Sequence, residues 1–132
     1  PSEIGAVGHS DGDALIHSIV DALLGAANLG DIGQLFPSED DQWKDVDSLH
    51  FLNIVGEKVR GAGFKINHID SIIVLQKPKL SGFIPEIKYK IAYALQIDES
   101  SVSVKATTTD HLGYIGEGKG IAAQAIATIT TS

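Results

Sequence analysis

The chain has 132 residues, with 10 Lys and Arg against 17 Asp and Glu, a formal net charge of −7. That length suits one domain, able to bury roughly 68% of its unfolded surface, and 43% hydrophobic with 20% charged residues is too apolar for disorder. The acidic balance argues against nucleic acid or a membrane surface as partner, and the absence of Cys excludes disulfides, thiolate metal sites and a Cys nucleophile.

No apolar run approaches membrane-spanning length, and no signal peptide is visible. The chain opens at Pro1 and contains no Met, the pattern of a processed product or a fragment. Pro1 to Gly8 reads as a Gly-punctuated lead, the end of a strand or hairpin. From Asp13 to Ala27 the period is helical, with Leu15, Ile19, Ala22, Leu23 and Ala26 as its apolar face. Asp11 or Asp13 can cap its start, and Asn28 and Gly30 stop it. Residues 31 to 47 read as a polar loop. A second helix is expected over Ser48 to Arg60, with Phe51, Leu52, Val55 and Val59 inward and Gly61 and Gly63 ending it.

Ile69 to Gln76 is an apolar, β-rich run suited to a buried strand. After a Lys-Pro-Lys loop, Pro85 fits the first turn of a third helix with Ile84, Ile87, Ile91 and Leu95 on one face. Val102 and Val104 alternate with polar residues as a strand does. Gly113 to Gly120 holds four glycines in eight residues. Ile121 to Thr131 reads as a last strand, although its alanines would tolerate a helix. Strands alternating with helices that lie mainly on one side predict an α/β or α+β fold.

The densest cluster of chemical groups is Gly8-His9-Ser10-Asp11-Gly12-Asp13, with His17 and Asp21 following. Asp13, His17 and Asp21 fall at i, i+4 and i+8, one stripe of a helix. A His flanked by carboxylates suits a divalent metal. On spacing alone a solvated face with acids near the helix start is slightly favoured. Lys105-Ala106-Thr107-Thr108-Thr109-Asp110 places three hydroxyls at a strand end with a carboxylate closing the group. Such a segment could hold phosphate oxygens and a cation such as Mg²⁺, or simply cap a helix; the two readings are level. Asp31-Ile32-Gly33 and the Lys77-Pro78-Lys79 loop read most simply as turns, and His50 and His68 as surface residues.

Together these strings resemble the 2-C-methyl-D-erythritol 2,4-cyclodiphosphate synthase family of the non-mevalonate isoprenoid pathway. The resemblance is carried by residues 8–13 with His17, Asp21-Ala22-Leu23-Leu24-Gly25-Ala26, Gly30 to Gly33, Leu35-Phe36-Pro37 and Lys105 to Thr109, in order and without an internal gap. It implies a single-layer mixed sheet with helices on one face, assembled as a homotrimer whose active sites lie between subunits. The implied substrate is the cytidine diphosphate compound 4-diphosphocytidyl-2-C-methyl-D-erythritol 2-phosphate. Its 2-phosphate attacks the β-phosphorus, releasing CMP and closing a cyclic diphosphate. With no protein nucleophile, such an enzyme, a phosphorus–oxygen lyase, works by positioning and charge neutralisation.

By the same resemblance His17 is a Zn²⁺ ligand, and His9 and Ser10 belong to a mobile loop gripping substrate. Asp31 and Gly33 meet the erythritol hydroxyls, and Phe36, Pro37, Ser38, Glu39 and Asp40 form a further contact loop. Leu75, Lys79, Leu80 and Ser81 line the cytidine pocket. Ala106, Thr107 and Thr108 contact cytosine and phosphate, with His9 and Thr108 closest to catalytic roles. Asp110 is the ligand for Mg²⁺ or Mn²⁺, where the family usually has Glu. Tyr114 is the aromatic residue at the trimer axis, and Glu117 replaces an Arg thought to hold isoprenoid diphosphates, which a carboxylate would repel. Asp13 and Asp21 are read as groups behind the metal ligands.

The family's other zinc ligands form an Asp-x-His motif upstream of the position of Pro1, and none precedes His9 here. The chain is therefore expected to form one synthase domain lacking its N-terminal strand, to bind zinc poorly and to turn over little. A bacterial cytoplasm or a plastid-type organelle is the implied location. A metal-dependent phosphohydrolase and a non-catalytic trimeric binding scaffold are the alternatives.

Overall fold

The computed structural model describes residues 2–37, 39–43, 46–75, 81–108, 113 and 121–132, with the side chains of 2–11, 43 and 81 left aside. In chain order the elements are α1 (Ser2–Ala26), α2 (Ile32–Leu35), α3 (Ser48–Gly61), β1 (Phe64–Val74), α4 (Ile84–Leu95), β2 (Val102–Thr107) and β3 (Ala122–Thr131). Short 3₁₀ turns sit at Asp41–Trp43, Ser81–Phe83 and Glu99–Ser101. Among the described residues no helix is long and apolar enough to cross a membrane.

The sheet is mixed, in the order β2-β1-β3. β1 runs parallel to β2, from Ile69 opposite Val102 to Val74 opposite Thr107, and antiparallel to β3, from Phe64 opposite Thr131 to Val74 opposite Ala122. A bulge at Ile66/His68 inserts one extra residue. It explains why buried Ile66 and Ile69 are three apart in a strand whose side chains alternate by two. Among the described residues helices cover one face only: α1 packs on β3 and β1, α3 on β1, and α4 on β2. Ala123, Ala125, Ala127 and Ile129 of β3 point into this layer, and the small alanines let α1 approach the sheet closely. The other face carries exposed Ile126, a Lys105–Asp70 ion pair at 2.8 Å and a 3.1 Å contact between His68 Nε2 and Ser103 Oγ.

Four expectations are corrected. From Ser2 onward the lead through Gly8 is helical backbone, part of α1. Its glycines cost about 1 kcal/mol each in a helix, but a helix already anchored by a buried face extends cheaply. That face is also broader than expected. Ile16, Val20, Leu24 and Ala27 are buried beside Leu15, Ile19 and Leu23, while Ala26 is exposed, because α1 packs against both the sheet and α3. β1 begins five residues early, at Phe64, and His68 within it is half-buried rather than a surface residue. Finally, the 31–47 loop contains the helical turn α2, capped by Asp31, whose carboxylate accepts from Gln34 N.

Helices α1 and α4 end alike. Asn28 (φ 57°) closes α1, with Leu29 N donating to Leu24 O at 2.8 Å and Asn28 N to Gly25 O at 3.1 Å. Gln96 (φ 56°) closes α4 the same way, through Ile97 N to Ala92 O at 3.0 Å. These left-handed ends satisfy the last carbonyls and turn the chain sharply. The one buried hydroxyl on β1, Ser71, donates to Ser103 O at 2.8 Å, so the layer between strands and helices keeps no unpaired oxygen there.

Candidate active site

Two groups of residues come together. The first is a cleft of about 530 Å³ lined by His17, Ile32, Gly33, Phe36, Pro37, Glu39 and Phe51. His17 reaches it from the exposed stripe of α1, and Gly33 from the α2 turn. The aromatic floor is Phe36 against Phe51 of α3, ring centroids 4.5 Å apart and tilted by 44°. Such a tilted pair is favourable beyond the area it buries. Phe36 is only 7% exposed, so the cleft rests on the core rather than on a loop.

The turn that delivers Gly33 is tightly specified. Gly30 adopts φ 100°, a conformation suited to glycine, and a Cβ there would collide with the Gln34 side-chain amide. Asp31 Oδ1 accepts from Gln34 N at 2.9 Å, and Asp21 Oδ1, on α1, accepts from Ile32 N at 2.8 Å. Asp40 is turned inward on its own loop, with both carboxylate oxygens held by Gln42 at 3.1 Å, and it does not line the cleft. Asp40 thus caps the turn of its own loop.

The second group lies where parallel strands β1 and β2 end together. Leu75 N donates to Thr107 O at 3.0 Å, extending the ladder by one residue and holding Leu75 beside the end of β2. Loops at the carboxyl ends of parallel strands are where α/β sheets bind ligands. The Leu75 side chain is buried in the core, so only its backbone can face a ligand. Thr107 and Thr108 are exposed. β3 enters the sheet at this same end, because Ala122 pairs with Val74.

Of the remaining expected residues, Ser38, Lys79, Leu80, Asp110, Tyr114 and Glu117 lie outside the described residues, and nothing is described of the side chains of His9, Ser10 and Ser81. The backbone of His9 and Ser10 belongs to α1, not to a loop. Asp13 is engaged elsewhere: Ser48 Oγ donates to its Oδ1 at 2.5 Å, at the start of α3. Asp21 binds Ile32 N, so each carboxylate flanking His17 has a partner of its own. Among the described residues no three His, Asp or Glu side chains gather to hold a metal ion. Phe51 and Ile32 were not expected at the site. The signal for Phe51 was its place in the first turn of a helix whose apolar face must meet the Phe36 loop.

A family model described as the YgbB family matches residues 1–130. The 2-C-methyl-D-erythritol 2,4-cyclodiphosphate synthase of Desulforamulus reducens is 49% identical over 129 residues, 98% of this chain and 82% of the relative. The same-named protein of Alkaliphilus oremlandii is 50% identical over 129 residues, with the same coverage. This chain belongs to the cyclodiphosphate synthase family. Among solved structures, the bifunctional IspDF of Campylobacter jejuni superposes with a TM-score of 0.86 at 41% identity, over 90% of this chain and 32% of that one. IspF of Plasmodium falciparum in complex with CDP gives 0.79 at 35% identity, over 90% and 71%. The mixed α/β fold is therefore that of the family. So is the activity, that of a lyase of isoprene biosynthesis, and neither the phosphohydrolase nor the scaffold alternative finds support.

Proposed function

We propose that residues 1–132 form one synthase domain that converts 4-diphosphocytidyl-2-C-methyl-D-erythritol 2-phosphate to the 2,4-cyclodiphosphate and CMP, using the two groups as separate stations. The erythritol half occupies the cleft, with Asp31 and Gly33 meeting its hydroxyls and Phe36, Pro37, Ser38 and Glu39 closing around it. The cytidine half sits at the ends of β1 and β2, on Leu75, Lys79, Leu80, Ser81, Ala106 and Thr107. The observation that carries this reading is that His17, Gly33, Phe36, Pro37 and Glu39, from three segments, line one cleft. A cytidine nucleotide as ligand is supported by the CDP complex of the Plasmodium falciparum relative, and its place at the strand ends by the general preference of ligands for the carboxyl ends of parallel strands.

In the reaction an oxygen of the 2-phosphate bonds to the β-phosphorus while the bond from that phosphorus to the bridging oxygen breaks, and CMP leaves with the electron pair. No protein atom bonds to phosphorus, so the chain contributes orientation and fixed charge. His9 and Thr108 would stabilise charge on the reacting phosphates. His17 is proposed as a Zn²⁺ ligand and Asp110 as the ligand of Mg²⁺ or Mn²⁺. With a net charge of −7, positive charge at the site must be local. A homotrimer is proposed in which the sheet face left uncovered by helices, with Ile126 68% exposed, packs against other copies. Tyr114 would stand at its axis.

The test is ³¹P NMR of the substrate incubated with enzyme and divalent cations. Equimolar CMP and cyclic diphosphate are expected. Inorganic phosphate without CMP would contradict the proposal.

A further inference from the structure

On the proposed function above, the geometry points to Asp21 as a positioning residue: its carboxylate fixes the substrate-facing turn to the helix that carries His17. Asp21 stands one helical turn after His17 on the same exposed stripe of α1. That spacing alone would fit a carboxylate behind a metal ligand. Its Oδ1 instead accepts from Ile32 N at 2.8 Å, across eleven residues of chain. Ile32 is the first residue of α2, and its amide is one that a helix start leaves without an internal partner. Gly33, the next residue, lines the same cleft as His17.

Leu29, Ile32 and Leu35 pack half-buried against the core, but the connection between α1 and α2 has few other polar restraints. It leaves α1 through left-handed Asn28, passes Gly30 at φ 100°, and reaches Asp31 in extended conformation. None of the residues of α2 is buried. Asp31 caps α2 from within, through Gln34 N, and so rigidifies the turn without tying it to α1. Asp21 supplies the directional, polar tie between α2 and α1, adding to the apolar contacts of Ile32 and Leu35, and so helps set the spacing of Gly33 from His17. Asp13, one turn before His17, braces the same helix to α3 through Ser48. The two carboxylates of the stripe thus hold the walls on either side of His17.

A positioning role needs an acceptor atom at Asp21, not its charge, whereas a role behind a metal needs the charge. Asp21→Asn keeps an acceptor, and Asp21→Ala removes it. Binding of the cyclic diphosphate and of CMP to the protein and to both variants, by titration calorimetry, separates the cases. Losing one such hydrogen bond should weaken the cyclic diphosphate about three- to tenfold in Asp21→Ala, leave CMP unchanged, and accelerate hydrogen exchange of the Ile32 amide. Asp21→Asn should restore all three readouts. Equal cyclic diphosphate affinity in Asp21→Ala and the parent, or equal weakening by Asp21→Asn and Asp21→Ala, would overturn the assignment. A parent protein that binds CMP but not the cyclic diphosphate would overturn the functional reading, and the assignment with it.

Discussion

Replacing Phe36 by Ala tests whether the cleft floor is part of the core. The ring is 7% exposed and packs 4.5 Å from that of Phe51. Removing a buried Phe costs about 3–5 kcal/mol, part of it from the cavity left behind. Phe36 also borders an open cleft, where water refills the space, so the low end, about 3 kcal/mol, is expected. For a chain of this size each kcal/mol is worth about 3–5 °C in melting temperature, so the drop should be about 10 °C. A double-mutant cycle with Phe51→Ala should show a coupling of about 0.5–1.5 kcal/mol for the ring pair. Phe36→Leu should recover most of the stability but weaken cyclic diphosphate binding, because it lowers the floor. Calorimetric melts at one fixed protein concentration read both effects. A Phe36→Ala protein melting within about 2 °C of the parent would refute the packing argument; zero coupling in the cycle would refute the role of the pair.

Two further substitutions probe the turn and the open sheet face. Gly30→Ala forces a side chain into φ 100° and against Gln34, and should cost about 1–3 kcal/mol in urea unfolding; an unchanged midpoint would show that the turn relaxes freely. The Lys105 ammonium beside Asp70 holds that carboxyl below its usual range. A lowered folded-state value means stability that is present above the ordinary carboxylate titration and lost as pH falls through the folded one. Asp70→Asn should therefore melt slightly below the parent at neutral pH, with the gap closing below about pH 4 and shrinking in high salt. A gap independent of pH would assign the effect to something other than the ion pair.

The elements with clean periods, α3, α4 and β2, could be read directly from apolar spacing and punctuation, and β3, whose alanines also suit a helix, from its β-branched end. What escaped did so for definable reasons. Gly5, Gly8 and Gly12 mask the first half of α1, since a glycine-rich stretch reads as loop until tertiary contacts anchor the rest of the helix. The early start of β1 is hidden by the bulge at Ile66/His68, which breaks the two-residue alternation. The α2 turn was legible in retrospect, because Asp31 and Gln34 have the spacing of a capping pair. At the site, the stripe of Asp13, His17 and Asp21 was visible as spacing, but its meaning was not. Asp13 is partnered by a residue 35 positions away and Asp21 by a backbone amide, and neither contact leaves a periodic trace. Motif strings located Gly33, Phe36 and Pro37, and only the fold shows that they share a cleft with His17 and Phe51.

The two-station arrangement is tested most directly by amide chemical shifts of the labelled protein titrated separately with CMP and with the cyclic diphosphate. CMP should move Leu75, Ala106, Thr107 and Thr108. The cyclic diphosphate should move Gly33, Phe36 and Glu39 together with the His17 ring. Shifts gathered instead at the opposite end of the sheet, around Arg60, Phe64 and Gln96, or one set of residues answering to both ligands, would contradict the account.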